Sequence, residues 1–440
     1  MPRGNGRPGG PGGDDPENVG AMRDRGSAAR DDADPLLALP VGRLVAAVQR
    51  GDVAAGEVTE AALRRIETHG GGHAFITTCP ERAMRRAARR PSGPLAGVPL
   101  AVKDLFDTEG IRTTYGSSIF ADHVPSRTAP AVRALERAGA ILVGKTNLHE
   151  FAFGVTSQNP HWGTVANPVR PGRVAGGSSG GNAAALADWQ CTIALGSDTG
   201  GSLRIPAACC DVVGYKPPDG MLSTQAVFPL APSFDTVGPM ARTVHDLALV
   251  QSVLSGRPVP APVLAGLRVG VLAPTGHEDD LEALGARLSR VELPEPSTDL
   301  MAVFSAEAAI THLRWFPRHR DQYGPDLQVK LDAAQQVPAV DYARGLMALR
   351  ELRERARTEP AVDLVISPTL AIEAPPDDCW EPDVRGPLTR YTRPFNFLGW
   401  AAIAIGNLQI AGRDDATVLG FALAWEAAHP LAGGAGRPAR

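Results

Sequence analysis

Twice the chain runs from a helix-patterned stretch through a short break into a compact apolar run, "APAVRALERAGAILVGKT" at 129–146 and "AAALADWQCTIALGSD" at 183–198. Apolar residues three and four apart make one helical face, whereas four or five in a row between turn residues suit a buried strand. Helices alternating with such strands must cover the strand faces, which favours an α/β sheet with helices packed on it. The same reading gives two amphipathic helices from Leu44, Val45, Val48 and from Val58, Ala62, Leu63, Ile66, split at "RGD". It also gives a strand over Val98–Val102 ending at Lys103, a strand in "LRVGVLA" after the proline-rich 257–266, and a helical pattern over 300–358. "AAIAIGNLQIAG" reads as two strands around a tight Gly406-Asn407 turn.

Charge and cysteine usage narrow the partners. With 44 Lys and Arg against 48 Asp and Glu, the net charge of −4 offers no basic field for nucleic acid. No 18-residue apolar run is present, so no membrane partner is expected. The five cysteines are scattered without C-x-x-C spacing, which argues against a disulfide framework and a zinc site and points to reduced thiols in a cytoplasmic protein. Residues 1–35 and 429–440 read as loose polar tails around a domain at 36–428.

The chemistry must then come from two glycine-serine clusters, "AGGSSGGNAAALA" at 175–187 and "GSDTGGSLRIPAA" at 196–208. Neither is a P-loop, since no Gly-Lys-Ser/Thr follows, and Ser178 spoils the dinucleotide fingerprint. Ser179 fits G-x-S-x-G, which would make it the nucleophile of an α/β-hydrolase needing a late histidine such as His312 or His429. No serine has a lysine three residues on, so any lysine serving a serine comes from a distant segment. Gly200 and Gly201 before Ser202 could turn successive N–H groups toward one point and hold a developing oxyanion. A plain glycine-rich turn at a strand end remains the bland alternative.

Taken together, "GVPLAVKDLFDTEG", "GKTNLHEFAFGVTSQNPHWGTVANP", "GGSSGGNAAALA", "GSDTGGSLRIPAA" and "FDTVGPMARTV" resemble the amidase signature family of hydrolases. Lys103 and Ser178 lie 75 residues apart and Ser178 and Ser202 lie 24 apart, the order and spacing of that family's Ser-cisSer-Lys triad. The resemblance implies a single α/β domain with a mixed central sheet covered by helices on both faces. It implies Ser202 as nucleophile, Ser178 as a bridging serine after a cis peptide bond, and Lys103 as base. It further implies an oxyanion hole from the N–H groups of Thr199, Gly200, Gly201 and Ser202, with Ser179, Asp198 and Arg204 in support. Lysine is a base only when neutral, so burial and a nearby cation are expected to lower its pKa from about 10.4.

The implied reaction is hydrolysis of a carboxamide through an acyl-serine, on a small-molecule amide, with no metal or organic cofactor. A homodimer is left open. The family also includes the A subunit of glutamine-dependent tRNA amidotransferases, and an inactive member is a further alternative. After Ser202 the chain departs from the family pattern: "CCDVVGYKPPDGMLS" puts Asp211 where glycine is expected. Segments near 275–285 and 405–408 are shorter than the family pattern implies.

Overall fold

The computed structural model describes residues 34–431, so the expected tails lie outside the described residues apart from Asp34, Pro35 and the three residues from His429. Eleven strands form one mixed sheet: β1 Phe75–Thr78, β2 Pro99–Lys103, β3 Ile141–Thr146, β4 Ile193–Asp198, β5 Val213–Lys216, β6 Thr236–Ala241, β7 Arg268–Val271, β8 Arg287–Arg290, β9 Leu364–Pro368, β10 Ala401–Ile405 and β11 Leu408–Gly412. They lie in the order β1-β3-β2-β4-β6-β5-β10-β11-β9-β7-β8. Parallel pairs join β3, β2 and β4 near one end and β9, β7 and β8 at the other, with antiparallel pairs between.

Both helix-then-strand stretches are present. In the first, the helix Pro130–Arg137 stops before Gly139, whose φ of +101° admits few other residues, and β3 follows. In the second, every residue of the helix Gly180–Ala187 except its last is buried. Glycine, asparagine, alanine and leucine permit this, because a helix buried all round needs small side chains toward its near neighbours. A Cβ on Gly181 would meet the carbonyl of Ala74, among other backbone atoms.

β10 shows how the sheet divides two packed layers. Its alternation sends Ala401, Ile403 and Ile405 into an apolar layer shared with the helix Asp415–Ala428. Ala402 and Ala404 face the opposite layer, where the short helix Arg204–Cys209 packs. Alanines there, and Gly214 on β5 beneath the Leu203 carbonyl and Ala207, let that helix sit close to the strands. Ser202 lies just before this helix and is thereby held against the sheet.

The region near 275–285 keeps a six-residue helix, Glu278–Ala283. The hairpin at 401–412 closes with β10 paired to β11 up to Ile405 and Leu408. Strands β1, β5, β6, β8 and β9 were not legible as such; β5 and β6 carry Gly, Pro or Lys among few β-branched residues and are strands through tertiary pairing.

Ile403 is fully buried. Ile403→Ala is expected to cost about 2–5 kcal/mol through the lost transfer energy and the cavity left. The check is the urea unfolding midpoint, and an unchanged midpoint would contradict the packing described.

Candidate functional site

Lys103 ends β2 with no exposed surface, and its Nζ donates to Ser178 Oγ at 2.7 Å and Ser197 Oγ at 2.9 Å. Ser197 comes from β4, which pairs directly with β2. It escaped sequence reasoning, since a lone serine in an apolar strand carries no signal until the neighbouring strand is known. Among the described residues three lysines are fully buried, and two of them sit by carboxylates, Lys145 on Asp104 at 3.1 Å and Lys216 on Asp219 at 3.0 Å. Lys103 has no carboxylate within 4.0 Å among the described residues and two hydroxyls instead.

Burial lowers the Lys103 pKa to about 7, against the opposing pull of Asp198 and Asp235. The expected cation at its side is absent from these causes: desolvation acts alone, because the charges nearest the lysine are carboxylates.

Ser178 follows a cis peptide bond from Gly177. Its carbonyl accepts from the His149 N–H at 3.2 Å and from Ser157 Oγ at 3.3 Å. Ser179 spans the two serine loops: its N–H reaches the Ser202 carbonyl at 3.2 Å and its Oγ donates to the Ser197 carbonyl at 3.3 Å. No histidine bonds the Ser179 hydroxyl among the described residues, so the geometry of a Ser179 α/β-hydrolase is not assembled. His312 is instead buried against Phe151, Phe228 and Tyr323, where burial lowers its pKa to about 3.

The loop from Asp198 to Arg204 is held from below. Arg204 Nε and Nη2 reach Asp198 Oδ2 and Oδ1 at 3.0 and 2.9 Å, with both side chains wholly buried. The remaining guanidinium donors go to the Thr392 carbonyl, Gln409 Oε1 and Asn396 Oδ1, at 2.8, 2.8 and 2.7 Å. Burial alone would raise the Asp198 carboxyl, but Arg204 and the hydrogen bonds bring it down to about 2.

One expectation changes here. The Gly201 N–H is taken by Asp198 Oδ1 at 2.8 Å, so it is already committed within the loop. The N–H groups of Thr199, Gly200 and Ser202 have no acceptor among the described residues, and neither does the Ser202 hydroxyl. Gly201 is still required as glycine, with φ at +130° and no room for a Cβ beside Thr392. Thr199 is anchored by its own hydroxyl to Asp235 at 2.7 Å, and Thr392 Oγ1 donates to the Gly200 carbonyl at 2.7 Å.

Asp211, the residue out of pattern, adopts φ +53°, a left-handed conformation that aspartate tolerates, and pairs with Arg170 at 2.8 Å. The departure from glycine therefore leaves the turn intact. Among the described residues no group of three His, Cys, Asp or Glu could hold a metal ion. No described helix is long and apolar enough to cross a membrane.

A buried lysine that touches two serines beneath a glycine-rich loop, on a mixed α/β sheet, invites comparison with known hydrolases. A family profile described as Amidase matches residues 57–261. A solved amidase superposes with a TM-score of 0.81 at 31% identity, covering 89% of this chain and 100% of that one. A 6-aminohexanoate cyclic dimer hydrolase, solved with its substrate, superposes at 0.80 with 26% identity over 90% of this chain and 98% of its own. The A subunit of the glutamyl-tRNA(Gln) amidotransferase of Thermosynechococcus vestitus is 40% identical over 284 residues, 56% of this chain and 59% of that protein. This chain thus matches about six-tenths of that relative's length. The chain belongs to the amidase signature family.

The buried lysine makes stability depend on pH. Lys103 is neutral in the folded chain above about 7, while the unfolded side chain holds its proton up to about 10.5. Between these values the unfolded state binds more protons, so stability rises with pH. The wild-type chain is expected to gain stability relative to Lys103→Met as pH rises from about 7 to 10.5. Urea midpoints of the two proteins measured across that window check the sign, and a level or falling difference would refute it.

Proposed function

We propose that this chain is an amidase that hydrolyses a carboxamide C–N bond through an acyl ester on Ser202. The observation that carries the reading is the buried contact between Lys103 and Ser178, with a pKa near 7 for the lysine. A serine hydroxyl attacks poorly unless its proton is removed as the bond forms. In the proposed course, Ser202 Oγ bonds to the carbonyl carbon while its proton passes to Ser178 and that of Ser178 to the neutral amine of Lys103. The carbonyl oxygen takes up the negative charge and is received by the N–H groups of Thr199, Gly200 and Ser202, which lack other acceptors among the described residues.

As the intermediate collapses, the C–N bond breaks and the leaving nitrogen takes a proton from Ser178, which is replenished by Lys103. Water then attacks the ester by the same relay in reverse and frees the carboxylate and Ser202. Asp198 and Arg204 position the loop and do not touch the reacting atoms. Ser197, the second acceptor of Lys103, keeps the amine aimed between the strands while it changes charge.

A second reading has support in the relative from Thermosynechococcus vestitus: the glutaminase component of an amidotransferase, active with a partner chain. The full-length coverage of the solved amidase favours the stand-alone enzyme. A cytoplasmic location suits the reduced cysteines, all five of which are free.

Ser202→Ala is expected to lower amide hydrolysis by about 10⁴-fold or more, and Lys103→Ala by about 10³-fold. Hydroxylamine added to the wild-type enzyme should yield the hydroxamate, which reports the acyl ester. For the wild type, kcat/KM should rise with pH around a midpoint near 7, as Lys103 loses its proton. Wild-type rates in purified Ser202→Ala, or activity that falls through pH 7 as pH rises, would overturn the assignment. Ammonia release from glutamine only when a partner chain is added would favour the second reading.

A further inference from the structure

A cavity of 420 Å³ lies at one edge of the sheet, between β1 and the helix Ala55–Thr68. Lys103, Ser178 and Ser202 take no part in its lining. Leu63, Ile66, Ala74 and Phe75 give it apolar walls, and its size suits a small organic molecule. Three polar side chains interrupt these walls, Gln190, Glu67 and Thr78.

Gln190 is only 3% exposed, and its carboxamide is fixed from behind. Nε2 donates to Asp188 Oδ2 at 2.7 Å, while Asp188 is held by Arg65 Nη2 at 2.9 Å and by His69 Nδ1 at 2.7 Å. With the nitrogen committed, Oε1 is the group left over. No described residue donates to it, and it is not among the polar atoms sealed in the interior, so the cavity is where it opens. A largely desolvated carbonyl oxygen without a donor carries a cost that an N–H from a ligand removes.

Glu67 stands exposed with no cation within 4.0 Å among the described residues. Arg64, one turn earlier, is drawn instead to Glu60 and Asp34 at 3.2 and 3.6 Å. Arg112, which reaches β1, is engaged by the Ile76 carbonyl at 3.0 Å and Thr77 Oγ1 at 3.1 Å. The cavity thus presents a carboxylate, an unpaired acceptor and the ring of Phe75, each of which favours a cation. A carboxylate ligand would face Glu67, and a plain hydrocarbon would leave Gln190 Oε1 unpaired.

The cavity also meets the helix that follows Ser178. Asp188 caps the C-terminus of Gly180–Ala187, and the Gln190 N–H bonds the Ala185 carbonyl at 2.8 Å. At the other end the Ala74 carbonyl accepts from the Asn147 N–H at 2.9 Å, and the Asn147 carbonyl from that of Gly181 at 3.1 Å. A molecule held here rests on residues bonded to both ends of that helix.

We propose that this cavity is a binding site, apart from Ser202, for a primary ammonium group carried on an apolar body, the class of the arylalkylamines. The ammonium would donate to Gln190 Oε1 with Glu67 beside it, and the apolar body would lie against Leu63, Ile66 and Phe75. The site does not depend on the reading of Ser202 as a nucleophile.

Calorimetry on the full chain with phenethylamine as the probe tests it. A Kd of about 1 mM or tighter is expected. Phenethyl alcohol, which keeps the ring and loses the charge, should bind at least about fivefold more weakly, and 3-phenylpropionate more weakly still. Gln190→Leu should weaken amine binding about tenfold, and Glu67→Gln about twofold to fivefold with less dependence on salt. Leu63→Trp, at a half-buried position of the wall, should fill the cavity and abolish binding, whereas Ser202→Ala should bind as the wild type does. No binding up to about 10 mM amine, or equal binding of the alcohol, would overturn the proposal. Amine binding unchanged in both Gln190→Leu and Leu63→Trp would overturn it too, by placing the amine elsewhere.

Discussion

A single guanidinium, that of Arg204, joins the parts from which the site is made. Its five N–H donors are all placed, on Asp198 at the end of β4, on Gln409 in β11, and on Thr392 and Asn396 in the segment that covers the loop. A buried ion pair gains its attraction only against a large desolvation cost, and it is tolerable when every donor and lone pair is satisfied. Asp198 meets that condition from the other side, accepting also from the N–H groups of Gly201 and Leu203 and from Asn396. The 198–204 loop is therefore tied to two separate stretches of chain, 392–396 and β11, and Ser202 inherits its position from them.

Two wholly buried cationic side chains serve this scheme and are treated in opposite ways. Arg204 is surrounded by acceptors for every one of its donors. Lys103 has two hydroxyls and no adjacent carboxylate among the described residues, so desolvation prevails and the neutral amine is accessible near pH 7. Burial lowers the pKa of Lys145 and Lys216 too, each against the pull of its aspartate, and what sets Lys103 apart is that its close partners are the hydroxyls of Ser178 and Ser197.

The sheet contributes through small residues. Gly214, Ala402 and Ala404 let the helix after Ser202 approach the strands, and the small residues of Gly180–Ala187 let the helix after Ser178 lie buried among its neighbours. With both serine loops pressed onto the ends of β2 and β4, the lysine is covered and water is kept from it.

The two helix-then-strand stretches, the hairpin of β10 and β11, the two serine clusters and the position of Lys103 at a strand end were legible in the sequence, because periodicity and glycine placement are local properties. The family resemblance likewise marked Ser178 and Ser202, by their spacing from Lys103, and with them Asp198 and Arg204 before any coordinates. Ser197, Thr392, Asn396 and Gln409 carried no local signal, nor did the commitment of the Gly201 N–H to Asp198 or the strands β5, β6 and β9. Each depends on which segments become neighbours. Only the tertiary structure decided that Lys103 would lose its water and that Arg204 would find acceptors for all its donors. Desolvation and hydrogen bonding are properties of surroundings, and these are assembled from residues as far as 205 apart in the chain.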